Sequence, residues 1–85
     1  MLIDPPMWPA HGRVWSHLVS DSSYAELHRA AREVGLPSRL FDLDHYDVPE
    51  EQYAHLVAAG AVEVSGHELI RRLIASGLRV PKKHR

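Results

Sequence analysis

The sequence has no cysteine. That excludes disulfides, zinc–thiolate centres and thiol nucleophiles, and it fits a reducing, cytoplasmic setting. No apolar run approaches the length of about 18 residues that crosses a bilayer, so no membrane span is expected. Asp4, Pro5 and Pro6 stand where a secretory signal would need a basic start and a long apolar core, so no such signal is expected. There is no P-loop, no dinucleotide-binding glycine fingerprint and no HExxH. Ser16 and Ser20 lack the flanking glycines of a nucleophile elbow. The recognisable nucleotide-binding, zinc-peptidase and serine-hydrolase classes are therefore set aside. Internal repeats and low-complexity segments are also lacking.

What is present is an ordinary folding composition. The 85 residues are 45% hydrophobic and 25% charged, which suits one folded domain and not a disordered chain. A chain this short buries only about 60–65% of its unfolded surface, so its stability should be modest. The charge is balanced in total, at −1, but not in place. Residues 1–70 hold all 11 acids and only Arg13, Arg29, Arg32 and Arg39 as bases. Residues 71–85 hold no acid and carry Arg71, Arg72, Arg79, Lys82, Lys83 and Arg85. Such an end could hold nucleic-acid phosphates by counterion release. No aromatic residue is interleaved for stacking, so a solubilising tail that complements a helix C-terminus is the favoured reading.

Local patterns predict an alternation of strands and helices. Met1–Ile3 reads as a strand, residues 5–12 as an ordered loop rich in proline, and Val14–Ser20 as a second strand. Ser23 with Glu26 forms a capping-box pattern. Tyr24, Leu27, Ala31 and Val34 then make a helical stripe ended by Gly35 and Pro37. Arg39–Leu43 reads as a third strand that runs into the loop Asp44-His45-Tyr46-Asp47. Pro49, Glu50 and Glu51 suit the first turn of a second helix, with Tyr53, Leu56 and Val57 inward. Ala61–Val64 is a fourth strand. Ser65 with Glu68 caps a third helix whose stripe is Leu69, Ile70, Leu73 and Ile74, ended by Gly77. Helices alternating with strands imply an α/β domain over residues 1–77, with a small, mainly parallel sheet of about four short strands and three helices. Residues 78–85 would be a basic C-terminal tail.

Parallel α/β sheets carry their sites at strand C-termini. The polar residues of this chain gather at those predicted positions. His17, His45 and Asp47 are the candidate acid–base groups. In an extended segment His45 and Asp47 share a face, and a carboxylate beside an imidazole fixes its tautomer and raises its basicity. The same three residues could bind a divalent metal, although their spacing matches no defined metal motif. Asp4 and Asp21 would orient them. Ser23 and Ser65, at helix starts, would help hold a small anionic ligand. The reading requires His17 and His45 to lie within about 12 Å of each other. Plainer roles exist: His17 bonded to backbone in a strand, or Asp47 merely capping the following helix. His28 reads as a core-edge histidine, His11, His55, His67 and His84 as surface or loop residues, and Trp8 and Trp15 as anchors of core and loop.

Ile3-Asp4-Pro5-Pro6, Trp15-Ser16-His17-Leu18, Glu26-Leu27-His28, Asp44-His45-Tyr46-Asp47-Val48-Pro49, Gly60-Ala61-Val62 and Gly77-Leu78-Arg79 together resemble a family of small bacterial and phage proteins catalogued as a domain of unknown function. The resemblance spans essentially the whole chain, and the WSHL and HYDV pieces are its most specific parts. Many members follow HYDV with a Ser-Lys-Arg segment, where this chain has Pro49-Glu50-Glu51-Gln52. The family brings no established activity and hence no imported catalytic residue. The lead expectation is a crevice that binds or acts on a phosphorylated or nucleotide-like ligand, with possible metal assistance. The alternatives are an interaction module that uses the basic tail on nucleic acid or protein, and a purely structural protein. The small size and the strand edges also leave room for a homodimer.

Overall fold

The computed structural model describes residues 1–81. Its elements, in chain order, are β1 (Leu2–Ile3), β2 (Trp8–Ala10), β3 (Arg13–Val19), α1 (Tyr24–Glu33), β4 (Phe41–Asp42), β5 (His45–Pro49), α2 (Tyr53–Ala58), β6 (Val62–Glu63) and α3 (Gly66–Ser76). Of the expected tail, residues 82–85 lie outside the described residues. Among the described residues, no helix is long and apolar enough to cross a membrane.

The fold is α/β with three helices, but the sheet is not mainly parallel. It is mixed and mostly antiparallel, in the order β4-β5-β3-β1-β6, with β2 also on β3. Only β1 and β6 pair in parallel among the described strands. The difference has a simple origin in two hairpins. Residues 5–12, read as a loop, contain β2, which folds back on β3 through His11 and Gly12. Both turn residues have positive φ, as the tight twist of a two-residue hairpin requires. The Asp44–Asp47 segment, also read as a loop, is the start of β5, which pairs with β4 on one side and β3 on the other. The helical connections do join strands of the same direction: α1 links β3 to β4, and α2 links β5 to β6. One antiparallel strand stands between the members of each pair, β5 in the first and β3 in the second.

The period-2 alternation of strands divides the sheet into two unlike faces. Ile3, Leu18, Tyr46 and Val48 face α1 and α2, where they pack with Leu27, Ala31, Leu36, Leu56 and Ala61. Leu2 and Val19 face the other way and pack with Leu69 and Leu73 of α3. That second cluster is small. The remaining positions on its face are therefore open to polar residues, and it is there that Asp4, His17, His45 and Asp47 fall.

Helices α1 and α3 start where the sequence predicts, with Ser23 Oγ accepting from Glu26 N and Ser65 Oγ accepting from Glu68 N. The reciprocal half of each capping box is replaced. Glu26 accepts instead from the hydroxyl of buried Ser20, at 2.6 Å, while Ser20 Oγ takes the Ser22 and Ser23 N–H groups. Glu68 instead pairs with Arg71. Helix α2 departs further from expectation. Pro49 closes β5, a single 3-10 turn follows over Glu50–Gln52, and the α-helix itself has 6 residues. Gly77 ends α3 in the left-handed conformation, with φ of 82°.

The Ser20 hydroxyl holds the Glu26 carboxyl below its ordinary value of 4.5. A carboxyl lowered in the folded state stabilises the protein above its unfolded pKa and loses that contribution as pH falls through the folded one. The gap in melting temperature between the wild type and Glu26→Gln should therefore be open at pH 7 and close on acidification below about 4.5. A gap that stays constant from pH 7 to pH 3 would show that the Glu26 charge is not used.

Candidate functional site

Register brings the predicted residues together. His17 of β3 lies directly opposite Asp47 of β5. His45 is two residues before Asp47, on the same face of the strand. Asp4, just after β1, donates its N–H to the His17 carbonyl and returns Oδ1 to the His17 N–H at 2.5 Å. The rings of His17 and His45 have centroids 5.2 Å apart, well inside the separation a shared site allows. One ligand atom each from His17, His45 and Asp47 lie within 4.8 Å of one another.

Each histidine is gripped at Nδ1 by a carboxylate. His17 Nδ1 is 2.8 Å from Asp4 Oδ2. The Trp8 indole N–H also approaches this nitrogen, at 3.1 Å, with the two rings stacked at 4.6 Å. One nitrogen cannot donate to a carboxylate and accept from an indole at once. The carboxylate contact is shorter and charge-assisted, so the proton belongs on Nδ1. Nε2 of His17 is then left with its lone pair. His45 Nδ1 is likewise 2.8 Å from Asp44 Oδ1.

The other side of His45 is unusual. Its Nε2 lies 3.1 Å from Asp47 Oδ1, yet that oxygen is buried and has no hydrogen-bond partner of acceptable geometry. Two lone-pair-bearing atoms this close repel unless a cation lies between them, either a proton on Nε2 or a metal ion. Burial lowers the His45 pKa, but the neighbouring carboxylates of Asp47 and Asp44 outweigh it, and the net shift is upward. A proton can therefore fill this position, and a metal would compete with it.

Asp44 is the deepest part of the arrangement, with a side chain at 0% exposure. It stands in the tight turn between β4 and β5. There Asp44 N–H bonds back to the Asp42 carbonyl at 2.6 Å across Leu43, whose φ is +60°. This is a three-residue γ-turn in a conformation that costs a branched side chain energy. It aims Asp44 inward, where Oδ1 takes His45 and Oδ2 takes the Val80 N–H at 2.9 Å and the Arg79 guanidinium at 3.4 Å. Burial pushes the Asp44 pKa up, but the bonds from His45 and Val80 and the Arg79 charge prevail and lower it.

The other candidates lie elsewhere. Asp21 pairs with Arg72 at 2.9 Å, away from the histidines. Ser23 and Ser65 are engaged as N-caps. His28 sits at the core edge, bonded to Tyr46. His11 is at a hairpin tip, and His55 and His67 are exposed. Sequence reasoning missed Trp8 and Arg79 as members of the cluster, and it gave Asp44 no role of its own within the Asp44–Asp47 segment. Adjacency of Asp44 to His45 was the available signal for that role. Nothing local marks Arg79, which reaches the site from beyond α3.

Two pockets flank the cluster. One, of about 170 Å³, is lined by His17, His45 and Arg79 and by Val19, Leu69, Ile70 and Leu73. The other, of about 200 Å³, is lined by Asp47 together with Trp8, Ala10, His11, Trp15 and Leu40.

The chain belongs to the family described as protein of unknown function (DUF4031). The match covers residues 1–76, so it includes Asp4, His17, Asp44, His45 and Asp47 and stops short of Arg79 and Val80. No curated protein and no solved structure matches the chain.

Two aspartates flanking His45 should respond unequally to loss of charge. Asp44→Asn leaves a buried amide facing the donors of His45 and Val80, and should cost about 2–4 kcal/mol. Asp47→Asn relieves an unpartnered oxygen and should cost under about 1 kcal/mol. Urea unfolding of both variants checks this. Equal losses would mean that Asp47 is as structural as Asp44.

Proposed function

We propose that this member of the family binds one divalent transition-metal ion through His17, His45 and Asp47, and uses it to hold and act on a small phosphorylated ligand. The observation that carries the reading is that two histidines, each gripped at Nδ1 by a carboxylate, stand beside Asp47 with one ligand atom from each of the three within 4.8 Å of the others. Metal-binding histidines commonly have their other nitrogen bonded to a carboxylate, which fixes the tautomer and raises basicity. Ligand atoms about 2.1 Å from a tetrahedral ion stand about 3.4 Å apart. The His45–Asp47 pair is already near that spacing at 3.1 Å. The widest separation of 4.8 Å needs a modest swing of one side chain.

A set of two imidazoles and one carboxylate suits zinc, iron, manganese or cobalt and leaves coordination positions free. An ion held this way lowers the pKa of a bound water and polarises a phosphoryl oxygen. Metal-assisted hydrolysis of a phosphate ester is the reaction class that fits. The charge pattern supports the crevice over a nucleic-acid surface. Arg71 pairs with Glu68 and Arg72 with Asp21, so these two bases are engaged with the body of the domain, while Arg79 turns toward Asp44 and lines the histidine pocket.

Thermal denaturation with Zn²⁺, Mn²⁺ and Co²⁺ tests the site. An ion at a hundred times its Kd adds about 2.7 kcal/mol. For a domain of this size that is a rise of about 10–20 °C. The rise should vanish in His17→Ala and His45→Ala. Absence of a shift with every ion, or an equal shift in both variants, would overturn the reading.

A further inference from the structure

We propose that the ligand of this centre is a small phosphate monoester with a short apolar group, and that Arg79 and the face of α3 select it. This rests on the metal reading above and narrows its substrate class. Charge decides which pocket takes the anion. The pocket beside Asp47 contains that carboxylate and no arginine or lysine. The pocket beside His17 and His45 contains Arg79 and no carboxylate. An anion reaching an ion on the two histidines is therefore favoured on the Arg79 side. Arg79 is available there. Its side chain is 29% exposed, and its contact with Asp44 uses one nitrogen at a long 3.4 Å. A guanidinium carries five N–H donors, so others remain for a phosphate.

Size and lining decide the rest. The pocket of about 170 Å³ falls below the range of about 300–1,000 Å³ that encloses a drug-sized molecule. The space suits a phosphate near the ion with a short carbon chain beside it. Besides His17, His45 and Arg79, its lining is Val19, Leu69, Ile70 and Leu73. Such walls recognise aliphatic carbon and leave the hydroxyls of a sugar without partners.

The test uses 3-methylbutyl phosphate, inorganic phosphate and adenosine 5′-monophosphate as probes, by calorimetry on the full chain with Zn²⁺ present. Zn²⁺ is also titrated alone. The alkyl phosphate should bind at least ten times tighter than inorganic phosphate and than the nucleotide. Arg79→Gln should weaken it at least tenfold. Ile70→Trp, at a half-open position of the rim, should plug the pocket with a similar loss while leaving Zn²⁺ affinity within threefold. A nucleotide that binds as tightly as the alkyl phosphate overturns the proposal, as does an Ile70→Trp protein that binds the alkyl phosphate like the wild type. Failure of Zn²⁺ itself to bind the wild type is a separate result and overturns the metal reading instead.

Discussion

The pairing of β3 with β5 is the constraint on which the rest of the molecule depends. These two strands supply Leu18, Tyr46 and Val48 to the larger core and His17, His45 and Asp47 to the opposite face. A slip of one residue in either strand would carry its apolar side chains out of that core and its polar ones into it. The hydrophobic effect that fixes the core register therefore also fixes the approach of the two histidines. No separate interaction has to find that geometry during folding.

A buried carboxylate ties the remaining pieces to that pair. Asp44 receives the imidazole of the next residue, a backbone N–H from beyond α3 and the edge of a guanidinium. A charge with no exposed surface is tolerable only with such partners. The strained turn at Leu43 is the local cost of placing it there, and the ordered path of Arg79 and Val80 is the global return. Helix α3 covers just part of this face, since its small cluster with Leu2 and Val19 leaves the histidine end uncovered.

What was legible in the sequence was local. The starts of α1 and α3 follow from serine caps, and the end of α3 follows from a glycine that adopts a left-handed φ. The common face of His45 and Asp47 follows from strand alternation alone. The pairing pattern was not legible, because both strands mistaken for loops are atypical. In β2 a proline occupies an outer strand, where its missing N–H is no loss. In β5 the face that would ordinarily be apolar carries the histidine and aspartate of the site. Asp44 was legible as part of the polar Asp44–Asp47 segment, but its burial was not, since an ionised side chain is ordinarily exposed and only the partners brought by distant segments reverse that expectation. The parallel sheet was inferred from alternating helices and strands, a rule that holds for the strands each helix joins and not for those inserted between them.

The stacking of Trp8 on His17 has a consequence for observation. Its indole stands 4.6 Å from an imidazole proposed to take up an ion. Indole emission is sensitive to the charge and electronic character of a ring in van der Waals contact. The molecule thus carries an optical reporter at the edge of its own site, and with Trp15 replaced by phenylalanine the remaining fluorescence would follow the state of one histidine without any added label.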